Sequence, residues 1–109
     1  MNELLNGIRI LMAEERIRAD RDNAPRFASP HEAYGVIMEE MLEAEDEYEA
    51  LVSNATRIMI KIHDNNEDGY VTVLKRMQDC AVHAAAELVQ VATMCAKAVD
   101  SVGGKNAAD

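Results

Sequence analysis

The run Ile37-Met38-Glu39-Glu40-Met41-Leu42-Glu43-Ala44-Glu45-Asp46-Glu47 crowds carboxylates at spacings of three and four. On a helix those spacings stack like charges on one side, where they repel one another. An arrangement that works against folding calls for a compensating partner, and a divalent cation is the simplest. At 100° per residue, with Ile37 set to zero, Glu40, Glu43 and Glu47 fall within about a 60° arc beside the apolar stripe. Glu39 and Asp46 lie farther round, and Glu45 and Glu49 lie on the opposite border. A second set of donors, Glu87 and Gln90, with His83 one turn before, borders another apolar stripe late in the chain. If the two stripes pack antiparallel, their flanks meet around an oxygen-lined pocket. Carboxylates and amide carbonyls are hard ligands that suit Mg²⁺, Mn²⁺ or Ca²⁺ better than zinc.

The elements that must position these groups read as helices. Ala, Glu, Met and Leu are plentiful, Trp is absent, and only Tyr70 to Leu74 looks strand-like. The first helix is expected from Asn2 to about Asp20, with Leu5, Ile8, Leu11 and Met12 on its apolar side, ended before Pro25. The second starts at a capping box, with Ser29 as N-cap, Pro30 at the first helical position and Glu32 completing it. Its stripe of Tyr34, Ile37, Met41, Ala44, Tyr48, Leu51, Ala55, Ile58 and Ile62 keeps a heptad spacing to His63. Ser53-Asn54 is a candidate break. Asp64 to Gly69 reads as a turn. A third helix from about Thr72 to Val102 repeats the spacing through Met77, Ala81, Ala84, Leu88, Val91, Cys95, Ala98 and Val102. Gly103-Gly104 should stop it and leave residues 103–109 as a frayed tail. The expected architecture is all-α, one domain over 1–109, two long helices after a shorter one, completed by oligomerisation.

Bulk properties narrow the function. With 11 basic against 20 acidic residues and a net charge of −9, the chain is ill suited to nucleic-acid backbones or anionic membranes. The start is polar, so no signal peptide is expected, and no apolar run approaches the roughly 20 residues of a membrane span. Cys80 and Cys95 sit too far apart on one helix to bridge and read as small core residues in a reducing cytoplasm.

Phe27-x-Ser29-x-His31-Glu32-Ala33-Tyr34-x-Val36-Ile37-x-Glu39-Glu40-x-x-Glu43 resembles the opening of the MazG-like all-α nucleoside triphosphate pyrophosphohydrolases. That superfamily carries E-E-x-x-E on one helix and E-x-x-D on a later one. Glu39 to Glu43 match the first motif, and Glu87-Leu88-Val89-Gln90 match the second except at its last member. The similarity covers residues 27–48 and 83–102. It implies a helical bundle acting as a homodimer or homotetramer, with Mg²⁺, or Mn²⁺ in its place, held by Glu40, Glu43, Glu87 and Gln90. It implies hydrolysis of a (d)NTP to (d)NMP and pyrophosphate, with Glu39 or Glu47 accepting the proton of the attacking water. His31, Arg76 and Lys97 are the candidate substrate contacts, with Lys61 and Lys75 as further cations. Gln90 in place of Asp removes one negative charge from the ligand set, so the ion leans more on substrate phosphate.

Two other readings compete. Asp64 to Lys75 resembles a calcium-binding helix-loop-helix, with Gly69 at the sixth position but Lys75 where a bidentate Glu belongs. Alternatively, the same scaffold serves as a non-catalytic helical oligomer.

Overall fold

The computed structural model describes the backbone of residues 1–108 and the side chains of residues 1–102. Three helices make up the fold: α1 (Asn2–Asp22), α2 (Pro30–His63) and α3 (Glu67–Ala108), with no strand among the described residues. The all-α expectation holds. Tyr70 to Leu74 is helical, because the alternation there is too short to compete with the helix on either side. The helix α3 runs on through Gly103-Gly104, since Gly in a helix is a cost of about 1 kcal/mol rather than a stop. The expected frayed tail falls on residues whose side chains lie outside the described set, and Asp109 lies wholly outside it.

Local chemistry explains the boundaries. Ser29 Oγ accepts the Glu32 backbone N–H at 3.1 Å, the capping bond read from the sequence. No break occurs at Ser53-Asn54: Asn54 Nδ2 donates to the Ala50 carbonyl at 2.9 Å and α2 continues. The turn after α2 is shorter than expected. Asn65 takes a left-handed φ of 54°, Asn65 N–H bonds the Ile62 carbonyl, and Asn66 N–H bonds the Lys61 carbonyl. These bonds form a Schellman closure of α2. Asn66 then caps α3, its Oδ1 accepting the Gly69 N–H at 2.9 Å. Residues 67 through 75 are therefore helical, and the segment 64–75 does not form the extended twelve-residue loop a calcium site of that type needs.

The chain divides into two compact units, Met1–Met41 with Leu88–Asp109, and Leu42–Glu87. In the first, α1 is fastened by Arg16, which pairs with Asp20 at 3.0 Å and Asp100 at 2.8 Å and donates to the Pro25 carbonyl. Partial burial opposes the Arg16 charge, but the two carboxylates more than offset it and raise its pKa. Ile8 and Met12 are half-buried, while Leu5 and Leu11 are exposed. The α1–α2 connection is tied down where Phe27 N–H donates to Ser101 Oγ at 2.8 Å. Thr93 is fully buried, its hydroxyl donating to the Val89 carbonyl. In the second unit the buried side chains are the small Ala44 and Ala84 with Val73.

The stripes differ from the expected ones in a regular way. On α2 the sheltered row is Ala33, Ile37, Glu40, Ala44, Glu47, Leu51, Asn54, Ile58 and Lys61. On α3 it is Val73, Met77, Cys80, Ala84, Glu87, Val91, Met94, Ala98 and Ser101, with Thr93 and Lys97 buried beside it. Every second member matches the apolar pattern, and every other one is displaced by one residue. Each helix thus turns its polar-flanked edge inward, about 50° from the most apolar direction. Tyr34 and Tyr48, expected in the core, are 65% and 61% exposed, and Cys95 is also exposed.

Candidate metal centre

The inward polar edge delivers the acids. Glu43 and Glu87 lie in the second unit, and Glu40 precedes Glu43 by one turn on the same helix. One carboxylate oxygen from each of Glu40, Glu43 and Glu87 lies within 4.8 Å of the others. Glu40 and Glu87 are half-buried, and Glu43 is exposed. The Glu43 carboxyl hydrogen-bonds Glu87, and this contact holds the Glu43 pKa above its ordinary value. Charge repulsion from Glu87, a little desolvation and the nearby Asp46 push the same way. Two carboxylates this close repel when both are ionised, so a shared proton or a cation between them is favoured.

The donor set suits a hard ion. All three donors are carboxylates, and Gln90, half-buried one turn beyond Glu87, adds an amide carbonyl to the same helix edge.

The remaining expected residues lie elsewhere. Glu39 is exposed and Glu47 half-buried, and neither belongs to the trio. His31 is exposed in the first turn of α2, as is His83 on α3. Arg76 precedes Glu87 on α3 by about 16 Å of helix rise, beyond direct contact with a phosphoryl group held beside Glu87. It lines a cavity with Arg57 and Lys61, a grouping the sequence reading did not anticipate. Lys97 follows Gln90 by about 10 Å of rise. Its side chain is buried, with Nζ 4.6 Å from the centroid of the Phe27 ring, and it lines a 280 Å³ cavity with Arg26 and Glu32. A larger apolar cavity of 530 Å³ in the first unit is lined by Phe27, Pro30, Tyr34, Ile37, Ala98 and Val102.

Comparison with protein-family models, with curated proteins and with solved structures finds no match to this chain. No helix among the described residues is long and apolar enough to cross a membrane.

Proposed function

We propose that this chain is a cytoplasmic, Mg²⁺-dependent nucleotide pyrophosphohydrolase that converts (d)NTP to (d)NMP and pyrophosphate. The observation that carries the reading is the convergence of Glu40, Glu43 and Glu87 from two separate stretches of sequence. Their spacing matches the E-E-x-x-E and E-x-x-(D) pattern that the sequence resembles. Glu40, Glu43, Glu87 and Gln90 would hold the ion. When bound, Mg²⁺ or Mn²⁺ supplies neutralisation of charge on the phosphoryl oxygens. The helical backbone fixes the acids relative to one another, which limits the reorganisation needed during reaction. Glu39 and Glu47, outside the trio, are left to take the proton of the attacking water. The working form is a homodimer or homotetramer. Much of the exposed surface is apolar, including Tyr34, Met41, Tyr48, Leu88 and Val102.

The test is pyrophosphate release from a panel of nucleoside triphosphates with Mg²⁺ or Mn²⁺. Turnover is expected for the native chain, and none for Glu40→Ala of unchanged helicity. Gln90→Asp should keep activity and retain or raise metal affinity. Loss of activity in a folded Gln90→Asp protein would overturn the ligand assignment. A second reading, a non-catalytic helical oligomer, is favoured by Gln90 itself, which stands where the motif carries a carboxylate. It predicts that Glu43→Gln leaves function intact, whereas the enzymatic reading predicts loss of turnover without unfolding.

A further inference from the structure

Within the second unit, three cations converge where the charge balance of the chain gives least reason for it. Arg57 and Lys61, one turn apart on α2, and Arg76 on α3 line one cavity of 310 Å³. The rest of its lining is apolar, from Ile60 and Val73, and no acid contributes. The chain has 20 acidic residues against 11 basic ones, so acids to neutralise the cluster are abundant. Yet the side chains of Arg57, Lys61 and Arg76 form no ion pair among the described residues, unlike Arg16, Arg18 and Arg21.

The backbone favours this placement. Lys61 is half-buried, and its stem crosses the first turn of α3 at Gly69, where a Cβ would stand 2.9 Å from Lys61 Cδ. The absent side chain at Gly69 lets the Lys61 stem lie against α3, where Lys61 lines this cavity with Arg57 and Arg76 and a neighbouring one with Glu67. Three like charges around one concavity repel unless an anion joins them. Two planar guanidinium forks and an ammonium match the tetrahedral oxygens of a phosphoryl group. A nucleic acid is disfavoured as occupant by the net charge of −9, and the cavity is near the lower end of the roughly 300–1,000 Å³ of small-molecule sites.

We propose that Arg57, Lys61 and Arg76 form a binding site for a phosphoryl group, distinct from the acidic trio. The site stands whether or not the trio binds metal. Its phosphoryl group comes either from a free small phosphate compound or from the far end of a molecule engaged at Glu43 and Glu87. Arg76 lies about 16 Å of helix rise from Glu87, farther than a single phosphoryl group reaches.

The experiment titrates the full chain with inorganic phosphate and with pyrophosphate by calorimetry, with chelator present to remove divalent ions. Saturable binding is expected, weakened at least tenfold in an Arg57→Gln/Arg76→Gln double variant and unchanged in Glu43→Gln. Both arginines are exposed, so the double variant should fold, and Lys61→Gln supplies an independent loss if it does not. Absence of saturable binding by the native chain, or equal binding by a folded double variant, overturns the proposal. Steady-state kinetics with the triphosphate panel separate the two sources. A raised KM in the double variant assigns the site to the distal end of the substrate. Lost phosphate binding with unchanged KM assigns it to a separate small phosphate ligand.

Discussion

Leu88→Ser should weaken self-association while leaving the folded chain intact. Leu88 is 57% exposed, so a little over half of its side chain remains to be covered by a partner. Burying a whole leucine side chain stabilises by roughly 1.5–3 kcal/mol, so the outstanding gain is about 1–1.5 kcal/mol per copy. A twofold interface contains the residue twice, which gives about 2–3 kcal/mol per dimer. At 1.4 kcal/mol per decade that is a roughly 30- to 150-fold rise in the dimer dissociation constant. Serine adds no charge beside Glu87, but it gives up the part of the leucine already covered in the single chain and some helix propensity, so the cost to folding should be about 1–2 kcal/mol. Sedimentation velocity across a hundredfold range of concentration reads the first quantity, and urea unfolding of the monomer reads the second. A native chain that sediments as a monomer throughout would refute the reasoning. So would a Leu88→Ser chain whose association matches the native one.

The Glu43 carboxyl gives a pH signature. Its folded pKa is raised above 4.5, so the folded state binds the proton more tightly than the unfolded state. Its stabilising effect is fully present below that ordinary value and is lost as pH rises through the raised folded pKa. Melting temperature should therefore fall over that window without divalent ions, recover on adding Mg²⁺, and lose this component in Glu43→Gln; a Mg²⁺-insensitive profile would count against the metal centre. Ser29→Ala removes the bond to the Glu32 N–H and should cost about 1 kcal/mol in urea unfolding. Asn66→Ala removes the cap on α3 and should cost a similar amount, with amide exchange faster at Gly69. Unchanged exchange at Gly69 would show that the cap contributes nothing there.

The start of α2 was legible because capping is local chemistry, whereas α3 begins at Glu67 behind an Asn66 cap rather than at the expected Thr72. Ser29, Pro30 and Glu32 specify the beginning of α2 with no help from distant residues, and the structure keeps that cap. Glu40, Glu43 and Glu87 were legible one helix at a time, because helical spacing sets each on the flank of its own stripe. The exposure of Tyr34 and Tyr48 was not legible. Periodicity finds the most apolar direction of a helix, whereas packing selects the direction that faces its neighbour, and here the two differ. The shared members Ile37, Ala44, Leu51 and Ile58 fit either choice, so the pattern by itself leaves the rotation open. The basic cavity escaped notice for a related reason. Arg57 and Lys61 are separated from Arg76 by the turn, and their proximity appears only when α2 and α3 fold back on each other.

The order and type of the three helices, the capping of α2 and the acidic character of one helix edge were determined by the sequence, because each depends on residues within a turn or two. The rotation of each helix about its axis, the contact between Glu43 and Glu87, and the gathering of Arg57, Lys61 and Arg76 were decided only by the tertiary structure. Those features join residues far apart in the chain, and local spacing contains no information about which edge of a helix its partner will meet.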